Sequence, residues 1–122
     1  MKINEKADKI ITDVKNELRE VLGDKLVELI LFGSYAKGKE SSQSDIDIML
    51  LVDEDQESLR RLEDKITEIS FELSLEYDLV LSIILKSYQQ FKNYSDVLPF
   101  YMNVENEGIK VYERKASWTL KL

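Results

Sequence analysis

Three short apolar segments set the strongest limit on this fold. Residues 26–32 (Leu-Val-Glu-Leu-Ile-Leu-Phe), 46–52 (Ile-Asp-Ile-Met-Leu-Leu-Val) and 79–85 (Leu-Val-Leu-Ser-Ile-Ile-Leu) are too short for core helices and too apolar for one-sided strands. Such runs read as strands buried on both faces. Between the second and third lies a full helical pattern, with Leu59, Leu62, Ile66, Ile69 and Leu73 stepping by three and four. A helical crossover between two strands of one sheet predicts a parallel, right-handed unit.

The flanking patterns complete an α-β-β-α-β-α order. Residues 3–22 carry Ile3, Ala7, Ile10, Ile11, Val14, Leu18, Val21 and Leu22 at helical spacing, with Gly23 in the C-capping place. Asp53 with Gln56 resembles a capping box for the second helix, and Asp55 is a rival N-cap. Ser95 is a candidate N-cap for a last helix with Pro99 in its first turn and Gly108 at its end. Ile109 to Tyr112 reads as a short edge strand. The fold class is α/β (α+β), a small mixed sheet flanked by helices. With 122 residues the expectation is one domain, its core about 5–113 and a short tail at 114–122. Ser87 to Tyr94 and Ala116 to Leu122 carry no signal, and Trp118 suits a core or an interface equally.

Composition narrows the chemistry. The chain has no Cys and no His, which excludes thiolate metal sites and every mechanism built on imidazole. Acids outnumber bases 24 to 17 for a net charge of −7, the wrong sign for a phosphate-backbone binder, so no direct nucleic-acid binding is expected. The charged N-terminus does not read as a signal peptide, and no apolar run is long enough to span a bilayer. A cytoplasmic protein without membrane attachment is the expectation. Carboxylates, hydroxyls, Lys and Arg remain, a set suited to hard divalent cations.

The informative segment runs from Phe32 to Asp47. Gly33 to Lys39 matches G-x-x-x-x-G-K, but Glu40 stands where a phosphate loop needs Ser or Thr, and a strand follows instead of a helix. A calcium loop starting at Asp45 fails because Met49 and Leu50 fill its acid and glycine positions. Asp45 and Asp47 share one face of a strand, about 7 Å apart at Cα. Two like charges at the edge of a dry sheet call for a cation between them. A bare Asp-x-Asp reads first as a turn cap followed by a solvated strand start, but the five apolar residues after Asp47 point it into an otherwise dry sheet. Gly33-Ser34 lets a ligand approach the backbone and offers a hydroxyl and an N–H, or merely shapes a tight connection. Lys37 and Lys39 are phosphate contacts or ordinary loop lysines. Asp78 precedes the third strand, so the parallel pair places it at the same end as Asp45 and Asp47. Three carboxylates at one point form a framework for two Mg²⁺ ions in phosphoryl transfer.

Gly33-Ser34-x-Ala36-Lys37-Gly38, then Ser44-Asp45-Ile46-Asp47, with Asp78 further on, resembles the DNA polymerase beta-type nucleotidyltransferase superfamily, and within it the minimal nucleotidyltransferases. The ending from Pro99 to Tyr112 is similar to the tail of those proteins. Lys37 departs from the family's usual Arg, keeping charge but losing bidentate geometry. The resemblance implies a nucleotidyltransferase core that transfers a nucleoside monophosphate from an NTP, here ATP, to a hydroxyl. It implies that Gly33, Ser34, Lys37 and Ser44 hold the nucleotide. Asp45, Asp47 and Asp78 would ligate two Mg²⁺ ions, with Asp78 helping to activate the acceptor. Many minimal members pair with a HEPN-type toxin, a helical RNase, and some antitoxins of this class resemble AMP-transferases that modify its tyrosine. The chain leaves no room for an acceptor domain, so the acceptor surface is expected from a partner or a second copy. The alternatives are a binding-only antitoxin and adenylylation of a small molecule such as an aminoglycoside.

Overall fold

The computed structural model describes residues 5–41 and 44–115. Its elements are α1 (Glu5–Leu22), a short 3-10 turn (Gly23–Lys25), β1 (Leu26–Phe32), β2 (Ile46–Val52), α2 (Gln56–Tyr77), β3 (Leu81–Ser87), α3 (Tyr88–Tyr94), α4 (Pro99–Glu107) and β4 (Ile109–Glu113). The four strands form one mixed sheet in the order β3-β2-β1-β4. β1 runs antiparallel to β2 and to β4, while β2 and β3 are parallel, as the helical crossover requires.

Both faces of the central strands are covered, which explains their unbroken apolarity. Ile46, Ile48, Leu50 and Val52 alternate toward α1 and α2, meeting Ile10, Val14, Leu18, Ile66, Ile69 and Leu73. Met49 and Leu51 point the other way, into a smaller cluster with Ile30, Phe91, Tyr101 and Val104 from β1, α3 and α4. Tyr77 closes the first layer by donating its hydroxyl to Asp13. The exception is Glu28 of β1, only 2 % exposed, with Oε2 unpartnered and Oε1 3.6 Å from Lys110 Nζ.

β1 and β2 have the bounds read from the sequence; three other expectations need correction. β3 starts at Leu81, not at Leu79, because Asp78 turns the chain into the left-handed region (φ 51°) to end α2. The backbone N–H groups of Asp78 and Leu79 both donate to Ser74 O, so these residues close the helix before pairing begins. Asp55, not Asp53, is the N-cap of α2, its Oδ1 accepting from Ser58 N at 2.9 Å. Ser95 caps no helix start: Ser87 caps α3, and α4 begins at Pro99 behind Leu98. The stretch from Ser87 to Tyr94, silent in the sequence, is thereby the end of β3 and all of α3. Among the described residues no helix is long and apolar enough to cross a membrane. Trp118 and most of the predicted tail lie outside the described residues.

Candidate active site

The connection from β1 to β2 forms a single helical turn. Gly33 sits at φ 77° and Gly38 at φ 69°. Between them Lys37 N donates to Gly33 O at 3.2 Å and Lys39 N donates to Ser34 O at 2.9 Å. The N–H groups of Ser34, Tyr35 and Ala36 therefore precede the first bond of the turn, the arrangement that receives anionic oxygens. Tyr35 and Ala36 are buried and anchor the turn to the α1–α2 layer.

Asp47 is the second residue of β2 and belongs to the face of Met49 and Leu51 by strand alternation. Its register partners are Phe32 on β1 and Ser82 on β3, so these three side chains form a row across the sheet. Gly33 follows Phe32 immediately. A Cβ built on Gly33 would lie 2.6 Å from Asp47 Oδ2, so no other residue leaves this carboxylate in place. Burial pushes the Asp47 carboxyl above its usual range, and the nearby charge of Asp45 adds to the rise. Two adjacent oxygen-donor acids whose charges repel fit a hard divalent cation, and Asp45 and Asp47 are the residues that would hold it.

Asp78 is placed differently from the expectation. It stands three residues before β3 as the left-handed cap of α2, and the β3 residue level with Asp47 is Ser82. Asp78 shares with Asp45 a groove of about 330 Å³ lined also by Ser44, Phe71, Ser74, Leu75, Leu79 and Val80. Asp45 is thus common to both halves of the site, while Asp78 and Asp47 lie in separate halves. Among the described residues no group of three His, Cys, Asp or Glu side chains is arranged to hold a metal.

The remaining predicted residues have local partners. Ser44 Oγ accepts from Ser41 N at 2.8 Å and fixes the approach to β2. Lys37 pairs with Glu107 of α4 at 3.3 Å. Both residues line a pocket of about 180 Å³ beside Gly33, with Phe32, Ala36, Phe100, Asn103 and Val104. Phe32 and Phe100 meet there edge to face, their centroids 5.6 Å apart. This aromatic pocket was not read from the sequence, because it needs α4 folded back over the end of β1. A larger groove of about 640 Å³ lies at the opposite end of the β2–β3 pair, around Asp53, Asp55, Ser87 and Tyr94, and contains none of the predicted residues.

Comparison with known proteins shows the family and the fold. The family model described as "Nucleotidyltransferase domain" matches residues 11–111. A Methanocaldococcus jannaschii protein, provisionally named as a protein adenylyltransferase, is 38 % identical over 102 residues, covering 84 % of this chain and 95 % of that protein. The protein adenylyltransferase MntA of Thermococcus cleftensis is 36 % identical over 85 residues, 68 % of this chain and 81 % of its own length. A solved toxin-antitoxin structure with AMP-PNP shares the fold at a TM-score of 0.57 and 22 % identity, covering 88 % of this chain and 77 % of that one. The solved toxin-antitoxin MntA-HepT shares it at a TM-score of 0.55 and 19 % identity, covering 93 % and 78 %.

Proposed function

The chain belongs to the nucleotidyltransferase domain family, and from that membership we propose that it transfers AMP from ATP to a hydroxyl of a partner protein, a HEPN-type toxin, as the antitoxin of the pair. The observation that carries this reading is Asp47, packed against Gly33 and beside Asp45 at the mouth of the Gly33–Gly38 turn. The names of the adenylyltransferase relatives support AMP as the group moved and protein as the acceptor. The solved toxin-antitoxin pairs of the same fold support the kind of partner.

In this mechanism the N–H groups of Ser34, Tyr35 and Ala36 receive the triphosphate, and Lys37 adds charge once it exchanges Glu107 for phosphate. Asp45 and Asp47 are the residues that would hold Mg²⁺, which would supply neutralisation of phosphate charge and make the α-phosphorus more open to attack. The acceptor oxygen forms a bond to the α-phosphorus as the bond to pyrophosphate breaks. Asp78, which shares the groove on the β3 side with Asp45, is the carboxylate available for the departing hydroxyl proton.

Binding without turnover is the second reading, and the separation of Asp78 from Asp47 favours it. One experiment decides. The chain and its purified toxin are incubated with ATP and Mg²⁺, and intact masses are measured. A toxin heavier by one AMP, with no gain from Asp45→Asn or Asp47→Asn protein, is the expected result. A tight complex without any mass gain overturns the transferase reading.

A further inference from the structure

Three of the most exposed large apolar side chains of the molecule stand together beside the site. Phe71 is 63 % exposed, Leu75 67 % and Val80 56 %. Phe71 and Leu75 are one helical turn apart on α2, on the side opposite the buried Ile66, Ile69 and Leu73, so they serve no core. All three line the groove that contains Asp45 and Asp78. Clustered exposed apolar surface of this kind marks an interaction site.

The surrounding charge selects the occupant. Four acids, Glu68, Glu72, Glu76 and Asp78, lie along this part of the chain; Glu68 pairs with Lys65 at 3.6 Å, and the other three form no salt bridge among the described residues. Glu72 and Glu76 follow Phe71 and Leu75 around the helix toward α1. A second copy packed isologously on this face would set these acids against their own images. A face of Lys and Arg around an apolar centre complements it instead.

Position gives the surface its role. The sheet order puts the Gly33–Gly38 turn on the β1 side of Asp47 and the Phe71–Leu75–Val80 groove on the β3 side of Asp45. The turn and the groove thus flank the aspartate pair from opposite sides. We propose that the Phe71–Leu75–Val80 groove is the docking surface for the protein acceptor, which enters with an apolar ridge ringed by basic residues and presents its hydroxyl at Asp45. This deepens the transferase reading and rests on it.

The test uses the full chain with the purified toxin as acceptor, comparing wild type with Phe71→Ser/Leu75→Ser and with Glu72→Lys/Glu76→Lys. Both pairs are exposed, so the fold is retained; circular dichroism and ATP affinity check this. Complex formation and AMP transfer are measured separately. Loss of two apolar anchors is expected to weaken the complex, or raise the acceptor KM, by about 30-fold. The charge reversal is expected to weaken it and flatten its salt dependence. Unchanged acceptor affinity in the Ser variant, or no binding by wild type, overturns the proposal. So does a wild-type homodimer that the Ser variant dissolves. If wild type binds without transfer and the Ser variant loses binding, the docking surface stands and the transferase reading falls.

Discussion

Gly33 and Asp47 are packed so closely that a Cβ on the first would come within 2.6 Å of Oδ2 of the second. The glycine also sits at φ 77°, which L side chains rarely adopt. Gly33→Ala is therefore expected to displace the carboxylate and cut AMP transfer by about a hundredfold, while costing about 1 kcal/mol of stability. Initial rates and a urea titration on the same preparation read the two effects. A fully active Ala variant would sink the role given to this contact.

Asp47 predicts a pH dependence whose sign follows from its raised pKa. The folded carboxyl holds its proton more tightly than the unfolded one. The stability it contributes is present below the ordinary carboxylate range and lost as pH rises through the folded pKa. In EDTA, Asp47→Asn should be more stable than wild type at pH 7 and should lack this part of the pH slope. Added Mg²⁺ should stabilise wild type and not the variant. Denaturant midpoints with and without metal measure both.

Glu28 carries the same sign in the core. Burial raises its pKa more than Lys110 and Lys92 lower it, and Oε2 finds no partner. Glu28→Gln is expected to match or exceed wild-type stability at pH 7, by up to about 1 kcal/mol. Lys110→Met should destabilise, since it leaves the buried carboxylate without its 3.6 Å ion pair. Swapped signs in these two midpoints would remove the desolvation account.

Asp78 separates backbone from chemistry in one position. Asn tolerates the left-handed conformation almost as well as Asp, so Asp78→Asn should melt within about 0.5 kcal/mol of wild type. If the carboxylate receives the acceptor proton, kcat falls at least about a hundredfold and the acceptor KM holds. Wild-type kcat in this variant would reduce Asp78 to a helix cap.

The strands were legible because β1 and β2 are buried on both faces, leaving only one way to read seven apolar residues. β3 was displaced by two residues because a non-glycine took the left-handed cap, and Asp in that place looks like any residue before a strand. Ser87 was invisible as a cap because it is also the last pairing residue of β3. In the site, Gly33 directly follows Phe32, the register partner of Asp47, and Asp45 stands two residues before Asp47, so the three could be grouped from spacing alone. Asp78 could not, since its distance from Asp47 depends on how α2 ends. The Phe71–Leu75 pair did leave a trace: two large apolar residues off the three-four rhythm of Leu59 to Leu73. The core pattern masked it.

The row Phe32, Asp47, Ser82 is held by ladder bonds on both sides of β2. Asp47 therefore inherits the dimensional tolerance of a sheet and not that of a loop. Changes in the approach to β2 are expected to move Asp45, which lies outside the paired residues, more than Asp47.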